Sequence, residues 1–165
     1  MVANRTLRHL FTTAWSVRKI FPPPALANIE AAIRESEAGH TGQIRFAVQH
    51  CLDTREVLRG LSARQRAIEV FGELGVWDTE HNNGVLIYFL LADRDFEIVG
   101  DRGIHARVGS DGWEAISSGM EERIREGDFE NAVIWGVRAV GELLRAHFPG
   151  DGGPSNELSD RPVIL

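Results

Sequence analysis

The chain has 165 residues, of which 43% are hydrophobic and 25% charged, a composition that fits one folded domain and excludes a disordered chain. Its single cysteine, Cys51, excludes a framework of internal disulfides and a zinc site built from cysteines, and it suits a reducing compartment. The net charge of −6 is uneven, since residues 1–21 carry +4 and the rest carry −10, and so acidic a body argues against binding the phosphate backbone of nucleic acids.

The first segment, residues 1–21, has the pattern of a basic amphipathic helix. Its apolar side chains recur three and four residues apart, and its arginines fall largely on the other side. The apolar residues are Leu7, Leu10, Phe11, Ala14 and Trp15. Such a helix can dock on its own domain, which we favour, or make peripheral contact with a membrane through residues 5–21.

Neither a secretory signal nor a transmembrane segment is predicted. Polar residues interrupt the apolar ones in LRHLFTTAWSVRKIF, and no small-residue cleavage site follows. No stretch of the chain approaches the ~18 consecutive apolar residues that a membrane span requires. We therefore expect a cytoplasmic protein.

Two helices and a strand are predicted between the proline run and the middle of the chain. The run FPPPAL ends the first helix and starts another, ALANIEAAIRESEAGHTG, which glycines close. The next segment, QIRFAVQHCL, alternates apolar and polar residues and predicts a strand with one better-buried face. A capping box of Ser62 and Gln65 then opens a helix over SARQRAIEVFGELG.

The second half of the chain predicts a hairpin followed by two helices. GVLIYFLLA is apolar throughout, as in a central strand covered on both faces, and DRD connects it tightly to a second strand, FEIVG. Helices follow over SDGWEAISSGMEERIREG and DFENAVIWGVRAVGELLRAHF, and residues 149–165 form a polar C-terminal tail that is mobile at its glycines. The order predicts a single domain over residues 1–148, a three-layer α/β/α sandwich with a short mixed β-sheet flanked by helices on both faces.

Oxygen-bearing side chains precede one strand of the hairpin and follow the other. WDTEHNNG supplies Glu80 and Asn83 before the central strand, and GDRG supplies Asp101 after its partner. Because the start of one hairpin strand lies beside the end of the other, Asn83 and Asp101 are expected at one edge of the sheet. A helix that starts near Ser110 would bring Asp111 close as well. Hard oxygen ligands gathered from separate loops suit Ca²⁺ or Mg²⁺.

A simpler explanation exists for the same residues. Asp and Asn are common in turns, and Ser110 or Asp111 would cap the following helix without any ion. The glycines of GDRG do not complete a dinucleotide-binding motif, because the third glycine and the βαβ context are missing. The sequence alone therefore leaves both a cation site and plain turn chemistry open.

The stretch NNGVLIYFLLADRDFEIVGDRGI resembles the signature of the TPM-domain family, which includes a thylakoid-lumen phosphatase-like protein and photosystem II repair factors. Further motifs support the resemblance across residues 7–160: TE..NNGVLIY, F.IVGDRGI, VGSDGWE, the helix F..A...G....G..L..HFP and the closing NEL.D. The chain is most similar to the small soluble bacterial members of that family.

The resemblance implies an α/β/α sandwich that binds a divalent cation, Ca²⁺ or Mg²⁺, in loops at one edge of the sheet. Carried over to this chain, the implied ligands are Glu80, Asn83 and Asp101, with Asp111 as a fourth. Bacterial relatives are often encoded beside a LemA-type membrane protein and a membrane-anchored TPM protein, so the resemblance implies one or the other as a partner.

Two functions fit these observations. The first is a non-enzymatic accessory domain that binds a divalent cation and a membrane-associated partner. The second, proposed for some relatives, is a weak metal-dependent acid phosphatase, in which Asp101 would hold the ion and Arg102 would clamp phosphate. We favour the first, because nothing in the sequence resembles a nucleophile paired with a base.

Overall fold

A computed structural model describes residues 2–150 and 157–165. The helices are α1 (Val2–Phe11), α2 (Ala14–Ile20), α3 (Pro23–Glu37), α4 (Thr54–Leu58), α5 (Ala63–Glu73), α6 (Arg102–Arg125) and α7 (Phe129–His147). The strands are β1 (Gln43–Gln49), β2 (Gly84–Leu90), β3 (Asp95–Gly100) and β4 (Val163–Ile164). No helix within these residues is long and apolar enough to cross a membrane.

The four strands form one mixed sheet in the order β3-β2-β1-β4. Strand β1 runs parallel to β2 and to β4, whereas β2 and β3 form the antiparallel hairpin that the sequence predicts. Helices cover both faces: α3, α6 and α7 pack on one, and α4 and α5 pack on the other. The predicted three-layer α/β/α sandwich is therefore confirmed.

The uninterrupted apolar sequence of β2 is explained by the helices that cover both faces of this strand. Alternate side chains of a strand point to opposite faces of the sheet. Val85, Ile87 and Phe89 join the core under α3, α6 and α7. Leu86, Tyr88 and Leu90 join the core under α4 and α5. Each face of the strand meets a helix layer, so every position has to be apolar or, as in Tyr88, hydrogen-bonded.

Strand β1 differs from the prediction of one better-buried face, because all seven of its residues are buried. The face that was expected to be more exposed lies under the C-terminal residues. Gln43 accepts a hydrogen bond from the backbone N–H of Leu158 (2.9 Å), and the Arg45 guanidinium donates to the carbonyl of Ser159. Polar side chains are tolerated there because the chain that covers them supplies backbone partners.

The C-terminal segment, predicted to be a polar tail, also contains a short strand. Residues 151–156, which hold most of its glycines, lie outside the described residues. Beyond them, Val163 and Ile164 pair with Ala47 and Val48 of β1 and form the edge strand β4. A strand of two residues is too short to leave an alternating pattern in the sequence, which explains why it was missed.

The other differences from the prediction concern helix boundaries. The first segment forms two helices rather than one, with a break at Thr12 and Thr13. Thr13 then caps α2 in a capping box with Ser16. Helix α5 begins at the predicted box of Ser62 and Gln65, which is confirmed. Helix α6 begins at Arg102, but its backbone is non-helical at Gly109, so a second helical segment starts near Ser110 as predicted.

Replacing Gly84 by alanine should destabilise the fold strongly. A Cβ atom at this position would overlap the carbonyl oxygen of Val76, which is backbone and has no room to retreat. We expect Gly84→Ala to lower the free energy of unfolding by about 3 kcal/mol or more, measured by urea denaturation. Gly72→Ala in α5 is the matched control: a Cβ there meets open space, and the change should add about 0.5–1 kcal/mol.

Glu37 makes the stability of the domain depend on pH. Its Oε1 accepts a hydrogen bond from the backbone N–H of Ile44 (2.7 Å). Burial raises the pKa of Glu37 to about 8, and Asp160 adds to this shift, although the Ile44 hydrogen bond and Arg45 oppose it. The folded protein therefore keeps a proton on Glu37 across a range in which the unfolded chain has lost it.

Between the ordinary pKa of 4.5 and about 8, this proton should make the wild-type free energy of unfolding fall as the pH rises. Glu37→Gln is neutral at every pH and can still accept from Ile44, so its stability relative to wild type should be greater at pH 8 than at pH 5. Urea denaturation at both pH values measures this difference. Glu35→Gln removes an exposed charge from the same helix and is the control; an equal pH effect in both variants would contradict the assignment to Glu37.

Candidate functional site

The β2–β3 hairpin brings Asn83 and Asp101 to the same edge of the sheet. Val85 of β2 pairs with Gly100 of β3, so the residue before β2 and the residue after β3 lie at neighbouring strand ends. The backbone N–H of Asp101 extends this pairing by donating to the carbonyl of Gly84 (2.9 Å). The juxtaposition that the sequence predicts is therefore confirmed, and the role of the two residues as ligands stays a prediction.

Asn83 is completely buried and is fixed by hydrogen bonds on three of its polar groups. Its backbone N–H donates to Oγ1 of Thr79 (3.1 Å), and its side-chain Nδ2 donates to Oγ1 of Thr41 (3.2 Å). Its carbonyl accepts from the backbone N–H of Gln43. The fourth group, the side-chain oxygen Oδ1, has no hydrogen-bond partner.

Asp101 is 7% exposed and caps the N-terminus of α6. Its Oδ1 accepts a hydrogen bond from the backbone N–H of Arg102 (2.6 Å), the first residue of the helix. The positive end of the helix dipole stabilises the carboxylate charge in this position. Its second oxygen, Oδ2, is buried and has no hydrogen-bond partner.

Unpartnered buried atoms are concentrated at this edge. Within residues 2–150 and 157–165, three buried side-chain nitrogen or oxygen atoms lack a hydrogen-bond partner: Arg45 Nε, Asn83 Oδ1 and Asp101 Oδ2. Two of the three lie at the adjoining ends of β2 and β3, and both are hard oxygen acceptors. Leaving such a group unpaired costs about 1–3 kcal/mol, so the two oxygens are the least satisfied acceptors of the described residues.

The turn before β2 is locked to the first turn of α6. Asn82 has a positive φ of 51°, a conformation that asparagine tolerates, and its carbonyl accepts from the backbone N–H groups of Gly103 (2.9 Å) and Ile104 (3.3 Å). A Cβ on Gly103 would lie 2.6 Å from that carbonyl oxygen. The second glycine of GDRG thus permits a close backbone contact, which explains its presence without any bound cofactor.

The structure leaves the other two predicted ligands exposed. Glu80 lies in the turn before β2, where its backbone N–H donates to the carboxylate of Glu157 (2.9 Å). Asp111 lies in α6 beyond a kink at Gly109, so it neither caps the first turn of that helix nor shares the burial of Asp101. No three His, Cys, Asp or Glu side chains converge as a metal-binding group in the described part of the chain. Of the four predicted ligands, only Asn83 and Asp101 are buried.

Sequence reasoning missed the residues that support the site from a distance. Thr41 and Thr79 hold Asn83, and Glu157 reaches the turn from the far end of the chain. An isolated threonine in a loop carries no recognisable signal, since its partner is set by the fold. The position of Glu157 had one signal, because it belongs to the NEL motif of the family resemblance.

In the described part of the chain, a hydroxyl and an imidazole pair near this edge: Ser36 Oγ and His40 Nε2 are 3.3 Å apart, and both residues are buried. His105 is the nearest histidine along α6, and its Nδ1 accepts from the indole N–H of Trp113 (3.1 Å). The side chain of Arg102 is exposed. Cys51 follows the opposite end of β1, and burial raises the pKa of its thiol, with Asp53 and Glu56 adding to the shift.

Comparison with known proteins agrees with the fold and the motif. Residues 18–143 match the model of a protein family described as the TPM domain. The NMR structure of BA42 protein from the psychrophilic bacterium Bizionia argentinensis is 27% identical and superposes with a TM-score of 0.74, covering 94% of this chain and 96% of that one. No curated protein sequence matches the chain.

Asp101→Ser should stabilise the protein in the presence of EDTA. Serine keeps an N-cap oxygen and removes the unpaired Oδ2, so we expect a gain of about 1 kcal/mol in the free energy of unfolding. The control is Asp128→Ser in α7, another N-cap aspartate, whose two oxygens accept from Asn131. This control should show no gain. A loss of stability in Asp101→Ser larger than that in Asp128→Ser, which removes the same charge from another helix N-terminus, would contradict this prediction.

Proposed function

This chain belongs to the TPM-domain family, and from that premise we propose that it is a non-enzymatic accessory domain that binds Ca²⁺ or Mg²⁺ at the edge formed by Asn83 and Asp101. The observation that carries the proposal is the pair of buried oxygens without partners, Asn83 Oδ1 and Asp101 Oδ2. Carboxylate and amide oxygens are the ligands that these two cations prefer. A bound cation would neutralise Asp101 and satisfy both oxygens.

Exposed carboxylates and water would complete the coordination. Glu80 lies in the turn that precedes Asn83 and is the proposed third ligand; Asp111, which is exposed on α6, is the fourth. Mg²⁺ commonly keeps several waters and uses one or two carboxylates, so a site with few buried protein ligands suits it. The acidic body of the chain also favours a cation over an anion at this edge.

The site fits ion binding better than phosphate hydrolysis. A metal-dependent phosphatase would use Asp101 to hold the ion and Arg102 to clamp phosphate, and it would need a group that activates water or a nucleophile. His105 already accepts a hydrogen bond from Trp113. We therefore propose the accessory role, in association with a membrane-bound partner, either a LemA-type protein or a membrane-anchored TPM protein. The support for such partners is the family resemblance.

The proposal predicts that millimolar Ca²⁺ or Mg²⁺ raises the thermal unfolding temperature of the EDTA-treated protein and releases or absorbs heat in calorimetric titration. Asp101→Asn keeps the helix cap and removes the charge, so the cation affinity should fall by about tenfold or more. Asp128→Asn, at the N-cap of α7, is the control for the loss of one carboxylate and should bind like wild type. Glu80→Gln and Asp111→Asn then show which exposed carboxylate contributes.

Two outcomes would contradict the proposal. The first is the absence of heat with both ions at millimolar concentration. The second is unchanged affinity in Asp101→Asn, which would place the ion elsewhere. Hydrolysis of 4-nitrophenyl phosphate that depends on the cation and disappears in Asp101→Asn would establish the phosphatase instead. Hydrolysis that survives this substitution would come from a contaminant.

A further inference from the structure

Helix α1 contacts the rest of the domain through its polar side. His9 is 4% exposed; its Nδ1 accepts from the backbone N–H of Leu52 (2.9 Å), and its Nε2 lies 3.2 Å from Oδ1 of Asp93. Arg5 donates to Oδ2 of Asp93 (2.8 Å) and to the carbonyl of Leu61 (2.8 Å). The predicted docking of this helix on its own domain is therefore observed. The contacts are made by Arg5 and His9 and not by the apolar side chains.

These contacts fix the rotation of the helix about its axis. Since Nδ1 of His9 accepts a hydrogen bond, the proton of the neutral ring lies on Nε2 and is donated to Asp93. Burial lowers the pKa of His9, the neighbouring Asp93 opposes this, and the neutral ring satisfies both partners. A helix held at Asp93, Leu52 and Leu61 at once cannot turn its other side inward.

The side that remains outward is apolar. Three large hydrophobic side chains are exposed there, Leu7 (52% exposed), Leu10 (58%) and Phe11 (80%), and Trp15 (69%) in the first turn of α2 is exposed as well. We call these four residues the N-terminal apolar patch. They make up half of the eight exposed large hydrophobic residues in the described part of the chain, within nine consecutive positions. An amphipathic helix normally buries this side, so its exposure indicates a surface that receives a partner.

The charges around the N-terminal apolar patch are mainly basic. The exposed cations of residues 5–21 and the β2–β3 turn are Arg8, Arg18, Lys19 and Arg94, of which Arg8 also contacts Asp93 (3.4 Å). The Lys19 ammonium lies 5.7 Å from the centroid of the Trp15 ring. The cleft beside the patch is lined by Leu7, Phe11, Ile20 and Leu91, and its charged side chains are Arg8 and Arg94. Two carboxylates, Asp128 and Glu130, border the Trp15 end, and Asp53 lines the cavity beside Leu10.

We propose that the N-terminal apolar patch binds the surface of a bilayer that contains anionic phospholipids. Aromatic and leucine side chains with flanking arginine and lysine are the composition of helices that lie in the headgroup region. A second copy of the chain would bring the same basic charges against these, which opposes association. An anionic bilayer offers apolar depth and negative charge together, so it matches both properties of the surface.

The bilayer surface and the cation site lie at opposite ends of the hairpin. Asp93, which holds α1, is in the β2–β3 turn, and Asn83 precedes the other end of β2. Seven residues of strand separate them, about 20 Å at the usual rise per residue. A chain bound to lipid in this way keeps the Asn83–Asp101 edge away from the headgroups. The proposal stands independently of cation binding.

Flotation with vesicles in the presence of EDTA tests the proposal without involving the cation site. The protein should float with phosphatidylcholine vesicles that contain phosphatidylglycerol, and much less with phosphatidylcholine alone or in high salt. Leu10→Ser combined with Phe11→Ser should reduce the partition coefficient by about tenfold or more. Leu58→Ser combined with Ile68→Ser is the matched control, since these side chains are 65% and 53% exposed elsewhere.

Tryptophan fluorescence gives a second readout. The emission should shift to the blue when anionic vesicles are added, and the shift should vanish in Trp15→Ser but persist in Trp77→Ser, which removes another exposed indole. No flotation with the anionic vesicles would overturn the proposal. So would equal binding to neutral vesicles, or unchanged binding in the Leu10→Ser, Phe11→Ser variant. A dimer in sedimentation velocity that this variant dissociates, without vesicle binding, would show that a second copy covers the patch.

Discussion

Burial of β2 on both faces is the constraint on which the rest of the structure depends. All seven of its residues are buried, with β1 and β3 paired on either side and a helix layer on each face. A charged or amide side chain along this strand would have to find a partner inside the core or remain costly and unpaired. Polar side chains are therefore found beyond the two ends of the strand: Asn83 precedes it and Asp93 follows it.

The polar groups at the two ends of β2 differ in whether they have hydrogen-bond partners. At the Asp93 end, both carboxylate oxygens accept from side chains of α1, so the charge is used to hold that helix on the domain. At the Asn83 end, the backbone is hydrogen-bonded to Thr79, Gln43 and the first turn of α6. The side-chain oxygens Asn83 Oδ1 and Asp101 Oδ2 are buried there without partners. Two unsatisfied acceptors within a closely hydrogen-bonded turn lower the stability of the fold at this end of the strand.

Local sequence patterns predict the parts of the fold that nearby residues determine. The apolar run of β2, the tight hairpin and the capping box of Ser62 and Gln65 depend on neighbours within a few positions, and all three are confirmed. The juxtaposition of Asn83 and Asp101 follows from the hairpin alone. Strand β4 and the covered polar face of β1 depend on contacts between residues more than 110 positions apart, which periodicity does not record.

The orientation of α1 also depends on contacts between residues far apart in the sequence, which local patterns do not predict. Spacing predicts which side chains share a side of a helix, but the side that meets the domain is chosen by what the domain offers. Here it offers the carboxylate of Asp93, the carbonyl of Leu61 and the N–H of Leu52, which suit Arg5 and His9 rather than a leucine. Hydrogen bonds to charged groups contribute about 1.5–3 kcal/mol each, enough to compete with burying two or three partly exposed apolar side chains. The outward apolar side is thus a consequence of the Asp93 contacts. Because β2 separates Asp93 from Asn83, whatever covers that side lies at the other end of the strand from the Asn83–Asp101 edge.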